Sequence, residues 1–390
     1  MSLLIHFDST QKSTYAVDQS TKDILTGSFF GTVEGRKLVM LPEEALYLMD
    51  VRNARCTTPD GETELSFNDV ASKFSTGKKF MARYFTYKDW RDRGLIIKGP
   101  EKYEPVAGKA NMQIKKYHAQ QLRVKARAIK GVFFIEDMIT VVDDEEKGRS
   151  IYNEHWFGQH GTYKVKEHGR LNKLDIYETL FLINLGILGV SNFTKREIIK
   201  IAEKRRSDFQ KLYSVYADWR SKGYVIKTGF KFGTHFRVYF PGAQPVKTDS
   251  SWIHSMHVIH VFPRDTKLLI SEWARVIRVA HSVRKTFILA IPGKSRRKTL
   301  AIDFALYHRR GNEIETPEKT KPRFGMLSLS EEEYIGGAEL SAIINEAKSN
   351  RQELIIAIAD RESSVTYYRV KRIELQGSDY EYYEIDWMQP

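Results

Sequence analysis

Residues 270–291, ISEWARVIRVAHSVRKTFILAI, place apolar side chains first at helical spacing and then in an unbroken run. That order predicts an amphipathic helix, a short basic turn and a buried strand. The same succession recurs in AELSAIINEAKSNRQELIIAI (338–358), and the FRVY upstream of the first (236–239) recurs as FALY (304–307) upstream of the second. A second repeat lies nearer the N-terminus. FFGTVEGRKLVMLPEEALYLMD (29–50) and WFGQHGTYKVKEHGRLNKLDIYETLFLIN (156–184) each lead from an aromatic-aromatic-Gly turn into a helix, through Glu44 and Glu178 respectively. Downstream, YFTYKDWRDRGLIIKG (84–99) matches YSVYADWRSKGYVIKTG (213–229), with Trp90 opposite Trp219 and Gly94 opposite Gly223. Helix starts are expected where Ser66 precedes Asp69, Thr194 precedes Glu197 and Ser207 precedes Gln210, the spacing of a capping box.

Internal repeats of this kind decide architecture. The chain reads as three tandem units of mixed α/β (α+β) structure. Residues 1–110 hold only the N-terminal half of a unit, followed by a basic linker or extra helix at 111–130. Residues 131–222 form the N-terminal domain of a complete middle unit, and 223–299 its α/β nuclease-type C-terminal domain. Residues 300–390 hold only a C-terminal half.

At 390 residues the chain is long enough for two or three cores, and 42% hydrophobic with 28% charged residues is ordinary for a globular protein. No apolar run reaches the roughly 18 residues of a membrane helix. The opening MSLLIHFDST lacks the basic flank of a signal peptide, so a cytoplasmic protein without a membrane partner is expected. A single cysteine, Cys56, excludes an internal disulfide and a cysteine-rich zinc site. Charge changes the picture more. Residues 150–299 carry 27 Lys and Arg against 11 Asp and Glu, whereas 300–390 carry 11 against 17. The excess positive charge sits in the middle unit, where it would attract phosphate backbones.

Repeats also act as an internal control on chemistry. The middle unit holds Tyr239 at a strand end, His254 after a turn rich in Gly, Pro and Ser, and Lys285 at the start of the next strand. The last unit keeps Tyr307 opposite Tyr239 but has Gln352 opposite Lys285, and the one histidine between them, His308, directly follows the tyrosine rather than standing where His254 does. A tyrosine, a histidine and a lysine suit RNA scission by the neighbouring 2′-OH. Tyr239 would remove its proton once a nearby lysine lowers the phenol from its usual value of about 10. His254 would protonate the departing 5′ oxygen, and Lys285 would hold the charge on the phosphorane. The substrate brings its own nucleophile, so neither a metal nor a cofactor is expected. His235, His257 and His260 are rivals for the histidine role. Strand alternation sets His235 on the face of Arg237 and Tyr239, as a packing or RNA-binding group. His257 and His260 lie in the apolar run HVIHVF and read as core histidines.

GYVIKTGFKFGTHFRVY (223–239), HSMHVIHVF (254–262) and EWARVIRVAHSVRKTFILAI (272–291) together resemble the catalytic domain of archaeal tRNA-splicing endonucleases. Residues about 130–222, with the WFG turn and YETLFLINLG, resemble their N-terminal domain. The resemblance implies cleavage of precursor tRNA at a bulge-helix-bulge, leaving 2′,3′-cyclic phosphate and 5′-OH ends, with Tyr239, His254 and Lys285 as the triad. It implies two arginines that grip a bulge nucleotide across subunits: Arg278, and either Arg296 or Arg297. Guanidinium stacking on a base suits that task. It also implies four units around two active sites, hence a homodimer of this three-unit chain. The 15 residues from Tyr239 to His254 are longer than the family pattern.

Two further features follow from the copies. Fourteen residues separate Phe30 from Glu44 but 21 separate Phe157 from Glu178, so the middle unit carries a seven-residue insertion within GQHGTYKVKEHGR (158–170). Its Lys164 and Lys166 are candidate RNA contacts, Lys164 first because Glu167 follows Lys166 directly. In the acidic last unit, Asp360 and Glu362 in the turn after strand 354–358 are the candidate dimer contact. Two rival classes stand beside this reading. One is a non-catalytic RNA-binding subunit. The other is a metal-dependent DNA nuclease, whose carboxylate signature appears only as DDEEK (143–147), better read as a solvated turn; DNA is therefore not an expected partner.

Overall fold

In the computed structural model, which describes residues 3–77, 79–100, 114–124, 128–163, 165, 168–246, 253–293 and 300–390, helices begin where the sequence caps them. Ser66 and Asp69 form the expected reciprocal box before helix Phe67–Ser72, as do Thr194 and Glu197 before helix Lys195–Arg205. The third expected box fails. Helix Phe209–Ser221 starts from Asp208, whose carboxylate pairs with Arg206 at 2.6 Å, while Gln210 turns to Glu203 at 2.9 Å. Charged partners outcompete the cap there. An unexpected box closes at helix Ile176–Asn184, where Asp175 accepts from the Glu178 amide at 2.8 Å.

The chain has mixed α/β structure, with ten α-helices among the described residues. Residues before 100 build a six-stranded sheet, and Ile129–Phe134 through Leu188–Val190 build a five-stranded one. An eleven-stranded sheet takes in most of the other strands, while Lys267–Leu269 with Tyr334–Gly336 and Arg309–Arg310 with Glu313–Ile314 form two short ribbons. The order of the large sheet runs from Val225–Thr228 through Phe236–Tyr239, His257–Val261, Thr286–Ile291 and Glu381–Met388. It continues through Val365–Leu375, Glu353–Ala359, Phe324–Ser330 and Phe304–Leu306 to Ile97–Lys98.

The register of this sheet relates its two ends. Thr286 pairs with His257 and Glu353 with Phe324, each pair parallel. The turn before each carries an arginine in the left-handed region, Arg284 at φ 54° and Arg351 at φ 57°. Val238 lies opposite His257, and Leu306 opposite Phe324. Following these pairings, Tyr239 corresponds to Tyr307, Lys285 to Gln352 and Arg237 to Ala305. Ile385 lies beside Phe287, Val370 beside Leu354, and these two corresponding residues pair with each other at the centre of the sheet.

The outer segments share one core. Leu46, Tyr87 and Trp90 from the N-terminal segment pack with Phe304, Ile355 and Tyr367 from the C-terminal one. A second core joins Trp219 and Phe236 to Ile288 and Tyr382. Each buried tryptophan anchors its core, and truncating such a residue costs about 3–5 kcal/mol. Tyr367 donates to Asp89 at 2.7 Å and Tyr382 to Asp218 at 2.6 Å, tying each half of the sheet to its own helix. Residues 300–390 are thus divided: Glu381–Met388 pairs with Thr286–Ile291 and lies in the half that holds Tyr239. The linker is not a helix where it is described. Lys115–Tyr117 forms a strand beside Val365–Leu375, because the buried Tyr117 packs against Trp219 and His257 and bonds Glu384. No helix of the described residues is long and apolar enough to cross a membrane.

Candidate active site

Tyr239 closes strand Phe236–Tyr239 opposite Val225, and its ring lies 4.6 Å from that of Trp156. Trp156 reaches it from the left-handed cap of helix Glu145–His155, so the helix end aims one aromatic at the other. Lys285 follows the left-handed Arg284 and opens strand Thr286–Ile291. Its ammonium donates to the Ser255 carbonyl at 2.5 Å and to Ser255 Oγ at 3.2 Å, and sits 4.7 Å from the Phe232 ring centre. His254, beside Ser255, is exposed. Tyr239, His254 and Lys285 line one cavity of roughly 410 Å³, with Arg237, Ser255 and Tyr163 also on its wall. Tyr239 at one strand end, Lys285 just before another strand and His254 in the loop before a third thus meet at one cavity.

The electrostatics differ from the sequence expectation at one point. Burial raises the Tyr239 phenol above its usual value, and the largest opposing influence is the Arg237 guanidinium rather than Lys285. Lys285 is not among the largest influences on that phenol, and its ammonium is directed to Ser255. Burial lowers Lys285, and the charge of Arg237 adds to that.

The rival histidines are held neutral. Burial pulls His235 down to about 2, with His260 4.5 Å away by ring centroid and Arg206 beside it. His235 Nδ1 accepts from the Val261 amide at 2.9 Å. His257 sits between Tyr117 and Phe240 and is lowered to about 4 by burial, then by Lys115. His260 is likewise lowered to about 4, by burial and then Arg206. Of the four, His254 is the exposed one.

A buried ion pair also lines this cavity: Lys227 donates to Glu178 at 2.6 Å and to the Gly158 carbonyl at 2.8 Å. Asp175, on the same wall, is pushed up to about 7 by burial and then by the charge of Glu178. The other half of the chain repeats this arrangement without the triad. Gly31 donates to Glu44 at 3.2 Å, and Lys98 donates to the Gly31 carbonyl at 2.7 Å. Persistence in both copies marks the lysine and glutamate as the joint between helix and sheet. Breaking such a pair by removing one member costs about 3–5 kcal/mol.

The other sequence-selected residues are scattered. Arg278 is exposed on helix Ile270–Ser282, away from the cavity wall. Arg296, Arg297, Lys164 and Lys166 lie outside the described residues. Their hairpin is partly described: Gln159–His160 pairs with Asn172–Asp175, and Tyr163 at its tip lines the cavity with Lys231 over its ring. In the other copy the shorter hairpin Thr32–Glu34 and Lys37–Met40 occupies this place. Asp360 faces inward to its own turn, accepting from the Glu362 and Ser364 amides at 2.9 and 2.8 Å, while Glu362 is exposed. Among the described residues, no group of three or more His, Cys, Asp or Glu is placed to hold a metal ion. Sequence reasoning missed Ser255 and Arg237. The signal for Arg237 was present, since FRVY and FALY differ most in charge at that position.

Residues 209–300 match the family model described as tRNA intron endonuclease, catalytic C-terminal domain. Three relatives, each named tRNA-splicing endonuclease, align with under half of the chain. The protein of Methanococcoides burtonii is 36% identical over 163 residues, 40% of this chain and 43% of its own length. That of Methanopyrus kandleri is 35% identical over 150 residues, 37% of this chain and 80% of its own. That of Pyrobaculum arsenaticum is 31% identical over 182 residues, 44% of this chain and 96% of its own. The chain thus spans less than half of the Methanococcoides protein and nearly all of the Pyrobaculum one.

Proposed function

The chain belongs to the tRNA intron endonuclease family, and from that premise we propose that it cuts precursor tRNA at intron–exon junctions held in a bulge-helix-bulge. One observation carries the reading. Tyr239, His254 and Lys285, all in the segment that matches the catalytic-domain model, line a single cavity, while the corresponding half of the chain has Tyr307, Lys321 and Gln352 in their places.

In this mechanism Tyr239 takes the proton of the 2′-OH as its oxygen bonds to phosphorus. The bond from phosphorus to O5′ breaks, and His254 delivers a proton to the departing oxygen. Lys285 faces the phosphorane oxygens with positive charge. The products are a 2′,3′-cyclic phosphate and a 5′-OH, and electron pairs balance without a metal. The test is intron-containing precursor tRNA in excess chelator with end-group analysis of the fragments. Full cleavage with cyclic phosphate ends is expected; a strict need for Mg²⁺, or 3′-OH ends, would overturn the reading.

The same reading assigns RNA contacts to Arg278, Arg296 or Arg297, Lys164 and Lys166. It also assigns a three-unit organisation in which the outer segments complete one another as a non-catalytic body. Two chains would then supply four bodies around two active sites. Because Asp360 is engaged within its turn, Glu362 is the stronger charge for a partner's basic surface. Reversing both acids to lysine should yield monomer by sizing and abolish cleavage. An active dimeric double variant would place the contact elsewhere.

A further inference from the structure

Arg237 has no structural task that accounts for it. It lies opposite Lys227 across the sheet, so two cations face one another in register, an arrangement that costs stability. Its Nε is buried without a hydrogen-bond partner, a further cost. It forms no ion pair with a carboxylate among the described residues. The corresponding half of the chain avoids both costs with Ala305 opposite Lys98, and keeps the same strand pairing. The tyrosine is therefore common to both halves, whereas the arginine accompanies only the half that also has the histidine and the lysine.

Position says what it serves. Arg237 and Tyr239 are alternate residues of one strand and share a sheet face. The guanidinium carbon is 5.7 Å from the Tyr239 ring centre, and both residues line the cavity. Among the groups acting on the Tyr239 phenol, Arg237 is the largest opponent of its burial. Tyr163 from the hairpin disfavours its anion, Trp156 contributes only a ring, and Ser255 a hydrogen bond. Lys285 and His254 share the cavity, but Lys285 donates to Ser255.

We propose that Arg237 is a positioning residue of this site, fixing the Tyr239 phenol oxygen and facing it with the positive charge that favours proton removal from the 2′-OH. The proposal rests on the reading of Tyr239 as the base. Burial still holds the phenol above its usual value, and Arg237 is the main counterweight, through its charge and a hydrogen bond.

Three chains test it: the parent, Arg237→Ala and Arg237→Lys. The alanine variant reproduces what Ala305 already provides on a stable strand, so folding is preserved. Single-turnover cleavage of precursor tRNA by Arg237→Ala should fall on the order of a hundredfold at neutral pH, with its rising alkaline limb displaced upward by about one unit. RNA affinity should change less than about threefold, and Arg237→Lys should regain part of the rate while keeping the parent profile. A loss of affinity equal to the loss of rate, with the pH profile unmoved, would overturn the proposal and leave Arg237 an RNA contact. A second readout needs no cleavage. With a fluorinated tyrosine that ionises nearer neutrality placed at 239, ¹⁹F NMR of the RNA-free full chain follows the phenol directly. Arg237→Ala should raise its midpoint by about one unit; an unmoved midpoint overturns the proposal. If the parent does not cut RNA, the functional reading fails while this titration still decides the role of Arg237.

Discussion

The two halves of the large sheet are built on one plan and differ in what they expose. Both keep the glutamate and lysine that join helix to sheet, Glu178 with Lys227 and Glu44 with Lys98. Both tie a core tyrosine to a helix aspartate. One lines a cavity with His254, Arg237 and Lys285 beside its strand-end tyrosine, and the other has Lys321, Ala305 and Gln352 at those positions. In the other, Gln352 takes the lysine's place and turns to the Pro322 carbonyl at 3.5 Å, the counterpart of Ser255. A glutamine there completes the same backbone contact without a charge. What is shared is scaffold, and what differs is a short set of side chains aimed at one cavity.

The sharpest way to break this comparison is to move the differing residues across it. Giving the middle half the residues of its counterpart, His254→Lys with Lys285→Gln, should lower single-turnover cleavage on the order of a thousandfold or more. Circular dichroism and RNA affinity should be nearly unchanged, because the counterpart folds with those residues. Cleavage within tenfold of the parent would mean that the chemistry lies elsewhere.

Acid should separate the halves next. His235, His257 and His260 occupy positions held by Asp303, Phe324 and Leu327 in the other half, and burial holds their values at about 2, 4 and 4. Each histidine stays neutral in the fold but takes a proton in the unfolded chain below about pH 6.5. The unfolded state therefore gains protons as pH falls, and stability present above pH 6.5 is lost between about 6.5 and 4. The upper limit is about 1.4 kcal/mol per pH unit per histidine. Hydrogen exchange, corrected for its intrinsic pH dependence, should show strand His257–Val261 losing protection before strand Phe324–Ser330. Simultaneous loss would show that the two halves share their acid response.

The hairpin is the finest distinction. The longer turn belongs to one copy only, and its Tyr163 lines the cavity. Deleting residues 163–168, or Lys164→Ala alone, should leave cutting of a strict bulge-helix-bulge within about twofold and slow relaxed bulges by roughly fivefold to tenfold, the scale of one lost charge contact. Equal rates on relaxed bulges would reduce the loop to a tolerated insertion.

Much of this was legible in the sequence, because periodicity and repetition are local. The amphipathic helix Ile270–Ser282, the strand after it and the capping boxes at Ser66 and Thr194 follow from spacing within a few residues. The repeats aligned Tyr239 with Tyr307 and Lys285 with Gln352, and sheet register makes the same equivalence. What the sequence could not supply depends on neighbours distant along the chain. Asp208, held by Arg206, took the helix start expected of Ser207, Tyr117 turned a linker into a strand by finding Trp219, and the last strand crossed into the middle half of the sheet. The ionisation of Tyr239 belongs to the same class. Sequence names the tyrosine and a lysine that could lower it, but burial and the direction of each ammonium or guanidinium are set by packing. Only the tertiary structure sends Lys285 to Ser255 and leaves Arg237 beside the phenol.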